Sequence, residues 1–343
     1  MPTADDVAKL AGVSKMTVSR VLNNSGYVSS KTRGSVERAI NELNFRPNMV
    51  AKALATKRTR IIAYAMVNIS DPFHSLVAKG LEEICFKKNY TLILCDTNSK
   101  ETEQDYLNMF IERYVDGVVF HHLSITEAQL IKLKDIGVNC LLMDNEKDLS
   151  GSSSIRTDNY GGAVMAIEHI ISKGHRRIGC VHGVLKKPAG REVPYEDTFQ
   201  FDIWRQRTKG FKDSMKQHGL DAGMLYQGNG LQEIMQTLTE QILDSIFSNI
   251  NPPTAVYCEN DIMALMLLSA MTARGLRSPD DLAIIGHDGL SICRLLHPFV
   301  TTIAQPQYRM GNLAGDLLIR QIEKASLPEK LVLSPSLLEG ETT

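Results

Sequence analysis

Several features that would point to a membrane, a secretory route or a metal site are missing from this sequence of 343 residues. No apolar run approaches the roughly 18 residues that a membrane-spanning helix needs, and the polar N-terminus lacks the apolar stretch of a secretory signal. Six cysteines are widely spaced and form no C-x-x-C pair, so neither a zinc site nor a redox motif is indicated. We therefore expect a cytoplasmic protein with free, buried thiols, no metal, no cofactor and no membrane partner.

Motifs typical of common enzyme classes are missing as well. The sequence has no G-x-G-x-x-G after a strand-like run, no Walker A loop and no G-x-S-x-G turn. Its nine histidines include no H-E-x-x-H pattern or other spacing of metal ligands. His121 and His122 follow a strand-like run, where they either line a cleft or are ordinary loop residues. We predict that the protein is not an enzyme.

Positive charge is concentrated at one end of the chain. Residues 1–60 contain eleven Lys and Arg against four acidic residues, a net charge of +7, which leaves −8 for the remainder of a chain whose total is −1. Such an asymmetry indicates a polyanionic partner for the basic end only.

Residues 3–45 have the pattern of three short helices. Thr3 and Asp6 have the spacing of a capping box, Gly12 breaks the first helix, and Ser14 caps the second. Two short helices joined by a tight glycine-containing turn predict a helix-turn-helix, whose second helix enters the major groove of DNA. The residues that this helix would present to base edges are Lys15, Met16, Thr17 and Arg20.

From residue 61 onward, apolar strands alternate with amphipathic helices. The predicted strands are Ile61–Val67, Thr91–Cys95, Gly117–Phe120, Cys140–Met143, Ile178–Val181, Ala255–Cys258 and Ala283–Gly286. This alternation favours parallel sheets flanked by helices, and its length favours two lobes. We predict a helix-turn-helix domain over residues 1–45, a hinge over 46–60 and a two-lobed α/β core over 61–341.

Short motifs along nearly the whole chain, from Ala4 to about Gly340, resemble the lactose-repressor (LacI) family. They are Asp6–Asn23, Tyr27–Ser29, Phe45–Asn48, Ser70–Phe73, Val115–Gly117, Thr157–Tyr160, Gly174–Ile178, Gly210-Phe211, Glu259–Ala264, Gly286–Asp288 and Thr301–Ile303. Each motif is short, but their shared order is specific. The resemblance implies a bacterial transcriptional regulator with a core similar to periplasmic sugar-binding proteins.

The resemblance also implies how DNA is bound. A homodimer would read a pseudo-palindromic operator in double-stranded DNA. Residues 47–54 would form a hinge helix that folds on the operator, with Leu54 wedged into the minor groove. The implied DNA-binding residues are Ser14, Lys15, Met16, Thr17, Arg20, Asn23, Tyr27, Asn48, Ala51 and Leu54.

A small effector is implied to bind between the two core lobes, where carboxylates and amides can hold sugar hydroxyls. The implied effector-binding residues are Asp71, Phe73, Asp144, Arg207, Asn260 and Asp288. Arg207 and Asp288 could instead form a structural salt bridge. Asp71, Phe73 and Asp144 could instead serve turns and lobe contacts.

The segment from Gly183 to Arg207 is longer than in most of these relatives and is a candidate flap. Many sugar-binding relatives carry an aromatic side chain that stacks on the sugar, but this sequence has Gly228-Asn229-Gly230 at that place. Trp204 or Tyr195 is a candidate to replace it. Basic residues in or near the segment favour a sugar acid or sugar phosphate, with solvated surface charge as the simpler alternative. They are Lys186, Lys187, Arg191, Arg205 and Arg207, and the simpler alternative applies to all of them except Arg207.

We therefore predict a DNA-binding repressor whose operator affinity is controlled by a carbohydrate-like effector, namely a sugar, sugar acid or sugar phosphate. The alternative is a catabolite-control type of regulator whose DNA binding rises when a phosphoprotein docks on the core. A transport binding protein would share the two-lobed core but would need an export signal and no DNA-binding head.

Overall fold

The computed structural model describes residues 2–46, 53, 56, 58–97, 100–112, 114–121, 125–145, 149, 151–183, 201–227, 232–324 and 326–343. The chain divides into two compact units, Met1–Thr59 and Arg60–Thr343. Each unit is described separately below.

The first unit is a bundle of three helices, α1 (Ala4–Ala11), α2 (Lys15–Leu22) and α3 (Ser30–Glu42). Side-chain oxygens of Thr3, Ser14 and Ser29 accept the backbone N–H three residues later, which begins each helix. The core is small and aliphatic, with Phe45 as its one fully buried aromatic among the described residues; Val7, Ala8, Val18, Val21, Val36 and Ala39 complete it.

The second unit alternates strands and helices. The strands are β1 (Ile61–Met66), β2 (Thr91–Asp96), β3 (Gly117–His121), β4 (Asn139–Met143), β5 (Ser153–Thr157), β6 (Ile178–His182), β7 (Leu225–Gln227), β8 (Ala255–Cys258), β9 (Ala283–Asp288), β10 (Thr301–Ala304), β11 (Lys330–Leu333) and β12 (Ser336–Leu338). The helices are α4 (Pro72–Lys87), α5 (Lys100–Ile111), α6 (Glu127–Asp135), α7 (Asn159–Ser172), α8 (Phe201–Gln217), α9 (Gln232–Phe247), α10 (Asp261–Ala273) and α11 (Gln307–Lys324).

Over the described residues, these strands form two six-stranded sheets, which define two lobes. The order in the first lobe is β11-β5-β4-β3-β1-β2, and every neighbouring pair is parallel. The order in the second lobe is β12-β10-β9-β8-β6-β7, and only β12 runs antiparallel. The predicted fold class, a small helical head plus a two-lobed α/β core of mainly parallel sheets, is confirmed.

The chain passes between the lobes in three places: from β5 to α7, from β10 to α11, and from β11 to β12. Residues at these crossings therefore connect the two lobes. Helix α11 then packs so closely on α4 that a Cβ at Gly311 would lie 2.0 Å from the carbonyl oxygen of Val77. This close packing fixes the start of α11, after the second crossing, relative to the start of α4.

Within the portion of the chain described above, no helix is long and apolar enough to cross a membrane. All six cysteines are free, as predicted; five are buried, and Cys140 is half-buried.

Candidate functional site

The outer face of α2 presents several of the residues predicted to bind DNA. Because the Ser14 hydroxyl accepts from the Thr17 N–H at 3.2 Å, Lys15, Met16 and Thr17 occupy the first turn of the helix. Val18 and Val21 point into the core, so the opposite face is left to solvent. Met16 is 65% exposed there, an unusual position for a thioether that has no packing role.

Charged and polar side chains surround this apolar point. Lys15 Nζ lies 2.8 Å from Asp5 Oδ2, but both side chains are largely exposed, so the pair adds little stability and Lys15 can exchange Asp5 for another anion. Arg20 and Asn23 are exposed, and Tyr27 is 91% exposed. The arrangement offers both base-edge and phosphate contacts. The remaining predicted DNA-binding residues, Asn48, Ala51 and Leu54, lie outside the described residues.

In the second unit, polar side chains collect where the parallel strands end. His121, Thr157 and Asp288 are the last residues of their strands, and Asp144, Glu259 and Gln305 directly follow theirs. Ligands of open α/β sheets bind at the carboxyl ends of the strands. Two predicted effector residues, Asp144 in the first lobe and Asp288 in the second, therefore lie at this edge, and Glu259 directly precedes a third, Asn260.

Arg207 is the centre of this cluster, although it is only 4% exposed. Its Nε donates to Asn159 Oδ1 at 2.9 Å, its Nη2 to Asp288 Oδ1 at 3.1 Å, and its Nη1 to the backbone carbonyl of Glu259. A guanidinium out of water needs such partners to offset its desolvation. The arginine is thereby held in one orientation beside the ends of β8 and β9.

Asp288 is strained as well as buried. Its φ of 130° lies in a region that favours glycine, and such strain persists only where the surroundings impose it. Gln305 Nε2 donates to Asp288 Oδ1 at 2.7 Å, and the Gln307 side chain donates to the Asp288 carbonyl. Burial raises the pKa of Asp288, while Arg207 opposes that rise.

A chain of hydrogen bonds joins Asp288 to the first lobe. The Thr157 hydroxyl lies within hydrogen-bonding distance of Gln305 Oε1 and, at 3.2 Å, of Asp144 Oδ1. The Thr157 N–H also donates to Asp144 Oδ1, at 3.0 Å. Asp144 and Asp288, predicted from distant parts of the sequence, are thus linked through Thr157 and Gln305 across the lobe crossings.

The network continues into the first lobe through His121. Its Nε2 lies 3.4 Å from Asp144 Oδ2, and its Nδ1 lies 2.6 Å from the Tyr64 hydroxyl, which also contacts His74. The Phe73 ring is 5.8 Å from the His121 ring, centre to centre, and is 6% exposed. His121 is therefore a buried, hydrogen-bonded part of this network, whereas His122 lies outside the described residues.

Two predicted effector residues cap the N-termini of helices. Asp71 begins α4, because its Oδ1 accepts from the Phe73 N–H at 2.8 Å. Asn260 begins α10, because its Oδ1 accepts from the Met263 N–H at 2.7 Å. The charge of Asp71 still reaches the cleft, since it helps to raise the pKa of Asp288 and that of Tyr64.

A pocket of about 180 Å³ opens beside the first lobe crossing. It is lined by Arg156, Thr157, Asp158, Asn159, Tyr160, Gln206 and Val332. A ligand in this pocket would lie against Asn159 and Thr157, which are hydrogen-bonded to Arg207 and Asp144, respectively.

The candidate aromatic stacker Trp204 is packed rather than open. It is 2% exposed, and a Cβ at Gly183 would lie 2.0 Å from its ring. Arg205 is paired with Asp202 on the exposed side of α8. Tyr195, Lys186, Lys187 and Arg191 lie outside the described residues.

Sequence reasoning missed Asn159, Gln305, Thr157 and Glu259 as members of the cluster. Thr157 and Gln305 end or follow strands that the sequence pattern did not reveal. Glu259 directly follows a predicted strand, so the rule that ligands meet strand ends could have identified it. Wherever side chains are described, no group of three His, Cys, Asp or Glu residues is arranged to hold a metal ion.

Two family profiles match this chain. That of the bacterial regulatory proteins of the lacI family matches residues 3–48, and that of the periplasmic binding protein-like domain matches residues 167–343. The HTH-type transcriptional repressor PurR of Vibrio atlanticus (strain LGP32) is 32% identical over 348 residues, which cover 100% of this chain and 98% of that protein.

Solved structures of transcriptional regulators are similar along the full length. The Lac repressor dimer bound to operator and the anti-inducer ONPF has a TM-score of 0.83 at 25% identity, covering 100% of this chain and 99% of that one. A complex of the transcriptional regulator CelR with cellobiose has a TM-score of 0.70 at 26% identity and covers 100% of both chains.

The buried carboxyl of Glu259 predicts a stability that depends on pH. Burial raises its pKa from the ordinary 4.5 to about 8, so between these values the folded chain holds a proton that the unfolded chain has lost. The free energy of unfolding should therefore fall as pH rises from about 4.5 to about 8. Glu259→Gln should flatten this decline in thermal melts across that range, and the exposed Glu82→Gln should not. An unchanged slope in Glu259→Gln would show that the carboxyl is ionised in the fold throughout.

Proposed function

Because this chain belongs to the LacI family of bacterial regulatory proteins, we propose that it is a transcriptional repressor whose DNA binding is controlled by a carbohydrate-like effector. The head, residues 1–45, binds operator DNA; residues 46–60 form a hinge; the core, residues 61–341, binds the effector and a second copy of the chain. The observation that carries the proposal is the buried Arg207, held by Asn159 and Asp288 where the parallel strands end.

Recognition of the operator rests on the exposed face of α2. Arg20 can donate two hydrogen bonds to a guanine, and Thr17 and Met16 can contact a thymine methyl. All three lie on a helix that fits the major groove. The +7 charge of residues 1–60 supplies the phosphate contacts that any DNA sequence offers. Leu54, with Asn48 and Ala51, is proposed to act at the hinge on the basis of the sequence resemblance.

Repression is favoured over activation by the names of the relatives. PurR and the Lac repressor are both named as repressors. The alternative of a phosphoprotein that docks on the core gains no support from the relatives and structures described above. These proteins are regulators rather than enzymes, which agrees with the prediction that this chain has no catalytic role.

A second copy is proposed to cover an exposed apolar segment of the core. Ile292, Leu295 and Leu296 are 39%, 76% and 50% exposed, in and directly after a short 3-10 helix. Clustered apolar side chains of this kind mark protein–protein interfaces. The similar Lac repressor was solved as a dimer, and one helix-turn-helix in each chain suits a two-fold pair on a pseudo-palindrome.

A carbohydrate-like effector is proposed from the chemistry of the cleft. Carboxylates, carboxamides and a guanidinium held in fixed orientations are the groups that bind sugar hydroxyls in pairs. The similar regulator CelR was solved with cellobiose. We propose that Asp71, Phe73, Asp144, Arg207, Asn260 and Asp288 line the effector site, with Asn159 and Gln305 added from the structure.

Arg20→Ala should weaken specific operator binding by roughly 1–3 kcal/mol, because it removes a charged donor from a base edge. The loss should concentrate at one base position in each half-site. Arg38→Ala, on α3, removes the same charge and serves as the control. Binding of both variants to operator and to random DNA should be measured at one salt concentration. Equal losses on operator and random DNA for Arg20→Ala would contradict a base-reading role.

Leu295→Asp should dissociate the dimer, because the aspartate would be buried without a partner in the interface. Sedimentation at micromolar concentration should give a monomer for this variant and a dimer for the parent. Ile250→Asp is the control, since Ile250 is 96% exposed and stands apart from the segment. A dimeric Leu295→Asp would move the interface elsewhere, and a monomeric parent would refute the homodimer.

Arg207→Lys and Asp288→Asn should each weaken effector binding by about 1–3 kcal/mol, because each removes buried hydrogen bonds to the ligand. A thermal-shift screen of sugars, sugar acids and sugar phosphates, with purine bases for contrast, identifies the ligand for calorimetry. Arg205→Ala is the matched control on the exposed side of α8. Full affinity in both variants would mean that the site is misplaced, and a response to purine bases alone would refute a carbohydrate effector.

A further inference from the structure

Glu259 is a fully buried acid that the proposed effector contacts do not use. It directly follows β8 and is 0% exposed. Its Oε1 accepts from the Thr208 hydroxyl, and its Oε2 accepts from the Gly183 N–H at 3.1 Å. Both carboxyl oxygens are thus engaged by the protein, so the side chain has a defined place rather than a choice of rotamers.

These contacts tie Glu259 to the effector arginine. Thr208 is the neighbour of Arg207 on α8, and Arg207 itself donates to the backbone carbonyl of Glu259. Gly183 directly follows β6, and α8 begins at Phe201, further along the chain. One residue therefore fixes the helix that carries Arg207 to the ends of β6 and β8.

Among the described residues, acidic groups outnumber basic ones around Arg207. Asp288 is hydrogen-bonded to it, Glu259 lies within range of its charge, and Asp71 and Asp261 both act electrostatically on Asp288. The two buried histidines nearby, His182 and His287, have lowered pKa values because burial disfavours their charged forms. Lys212 also acts on this region, through Cys180 and His182.

The excess of acidic groups around Arg207 affects which ligand charge is tolerated there. Burial raises the pKa of Asp288 to about 7 and that of Glu259 to about 8, so both acids become ionised as the pH rises from 7 to 9. Asp288 then neutralises Arg207, and an anion bound at the same guanidinium would face the charge of Glu259 as well. An uncharged sugar brings hydroxyl groups that donate to carboxylates and accept from Arg207, and it adds no repulsion. The repulsion acts at short range in a poorly solvated cleft, where charges interact strongly.

Resting on the proposed effector cleft, we propose that Glu259 is a specificity-determining residue that acts through Arg207. As a second acid beside Asp288, it biases the cleft toward an uncharged sugar and against a sugar acid. Its influence grows as it ionises. Because burial raises the pKa of Glu259 to about 8, the preference for the uncharged ligand should increase between pH 7 and 9.

The test compares matched pairs of ligands by calorimetry on the full-length protein. The probes are D-glucose with D-glucuronate and D-galactose with D-galacturonate, because both uronates stay anionic from pH 7 to 9. In the parent, the neutral sugar should bind more tightly, and its advantage over the uronate should grow by about tenfold across this range.

Glu259→Gln keeps both contacts, since the amide oxygen can accept from the Gly183 N–H while the amide nitrogen donates to the Thr208 hydroxyl. This variant should lose the part of the pH-dependent preference that centres near pH 8, whereas the part due to Asp288, whose pKa is about 7, should remain. Thr208→Val keeps the carboxyl but removes the hydroxyl that lowers its pKa, so the rise in preference should move to higher pH. Loss of the rise in one variant and its displacement to higher pH in the other would not both follow from a loss of fold, which thermal melts check.

The proposal is overturned if a uronate binds as tightly as its neutral partner at pH 9, or if Glu259→Gln leaves the pH dependence intact. Binding of neither sugars nor uronates, together with binding of a purine base, would refute the carbohydrate effector itself and this inference with it. Tight binding of a uronate, or an unchanged pH dependence in Glu259→Gln, would overturn this inference alone and leave the proposed function standing. Binding of a purine base without any sugar would overturn both, so the two failures are distinguishable.

Discussion

The burial of one guanidinium organises the ligand-binding core. Arg207 has left water, and an arginine cannot lose its charge, so the protein must surround it with acceptors. Those acceptors come from Asn159 at the first lobe crossing, from the carbonyl of Glu259 after β8, and from Asp288 at the end of β9. Three separate strand ends are thereby held in one arrangement, and the strained φ of Asp288 is maintained by the same contacts.

The lobe crossings carry this arrangement from one sheet to the other. Thr157 ends β5 in the first lobe and contacts Gln305, which follows β10 in the second. Gln305 in turn donates to Asp288. A ligand that changes the partners of Asp288 therefore changes the hydrogen bonds at the segments about which the lobes are joined. Two-lobed cores respond to ligands by motion about such segments.

The two units use charge in opposite ways. The head leaves its cations exposed, as the solvated Lys15–Asp5 pair illustrates, because a DNA backbone must exchange places with water and counterions. The core instead buries Arg207 and its acids, where fixed hydrogen-bond directions and the exclusion of water can act on a small ligand. The aliphatic core of the head needs only to hold α2 in place, whereas the core domain must position individual atoms.

The sequence by itself determined the features that are encoded over a few residues. The caps at Thr3 and Ser14, the break at Gly12 and seven of the strands described above follow from local spacing, because burial and helix capping act between near neighbours. The family motifs added Arg207 and Asp288.

Only the tertiary structure decided that Arg207 meets Asn159, 48 positions away, that Asn260 uses its oxygen to cap a helix, and that the Glu259 carboxyl accepts from Thr208. The sequence pattern did not reveal β5, β7, β10, β11 and β12. Of these, β7, β11 and β12 are edge strands and β5 and β10 lie next to an edge, so they depend on their partners rather than on a pattern of their own. Contacts between distant segments depend on the order of the strands in the sheets, and the local spacing of residues does not predict that order.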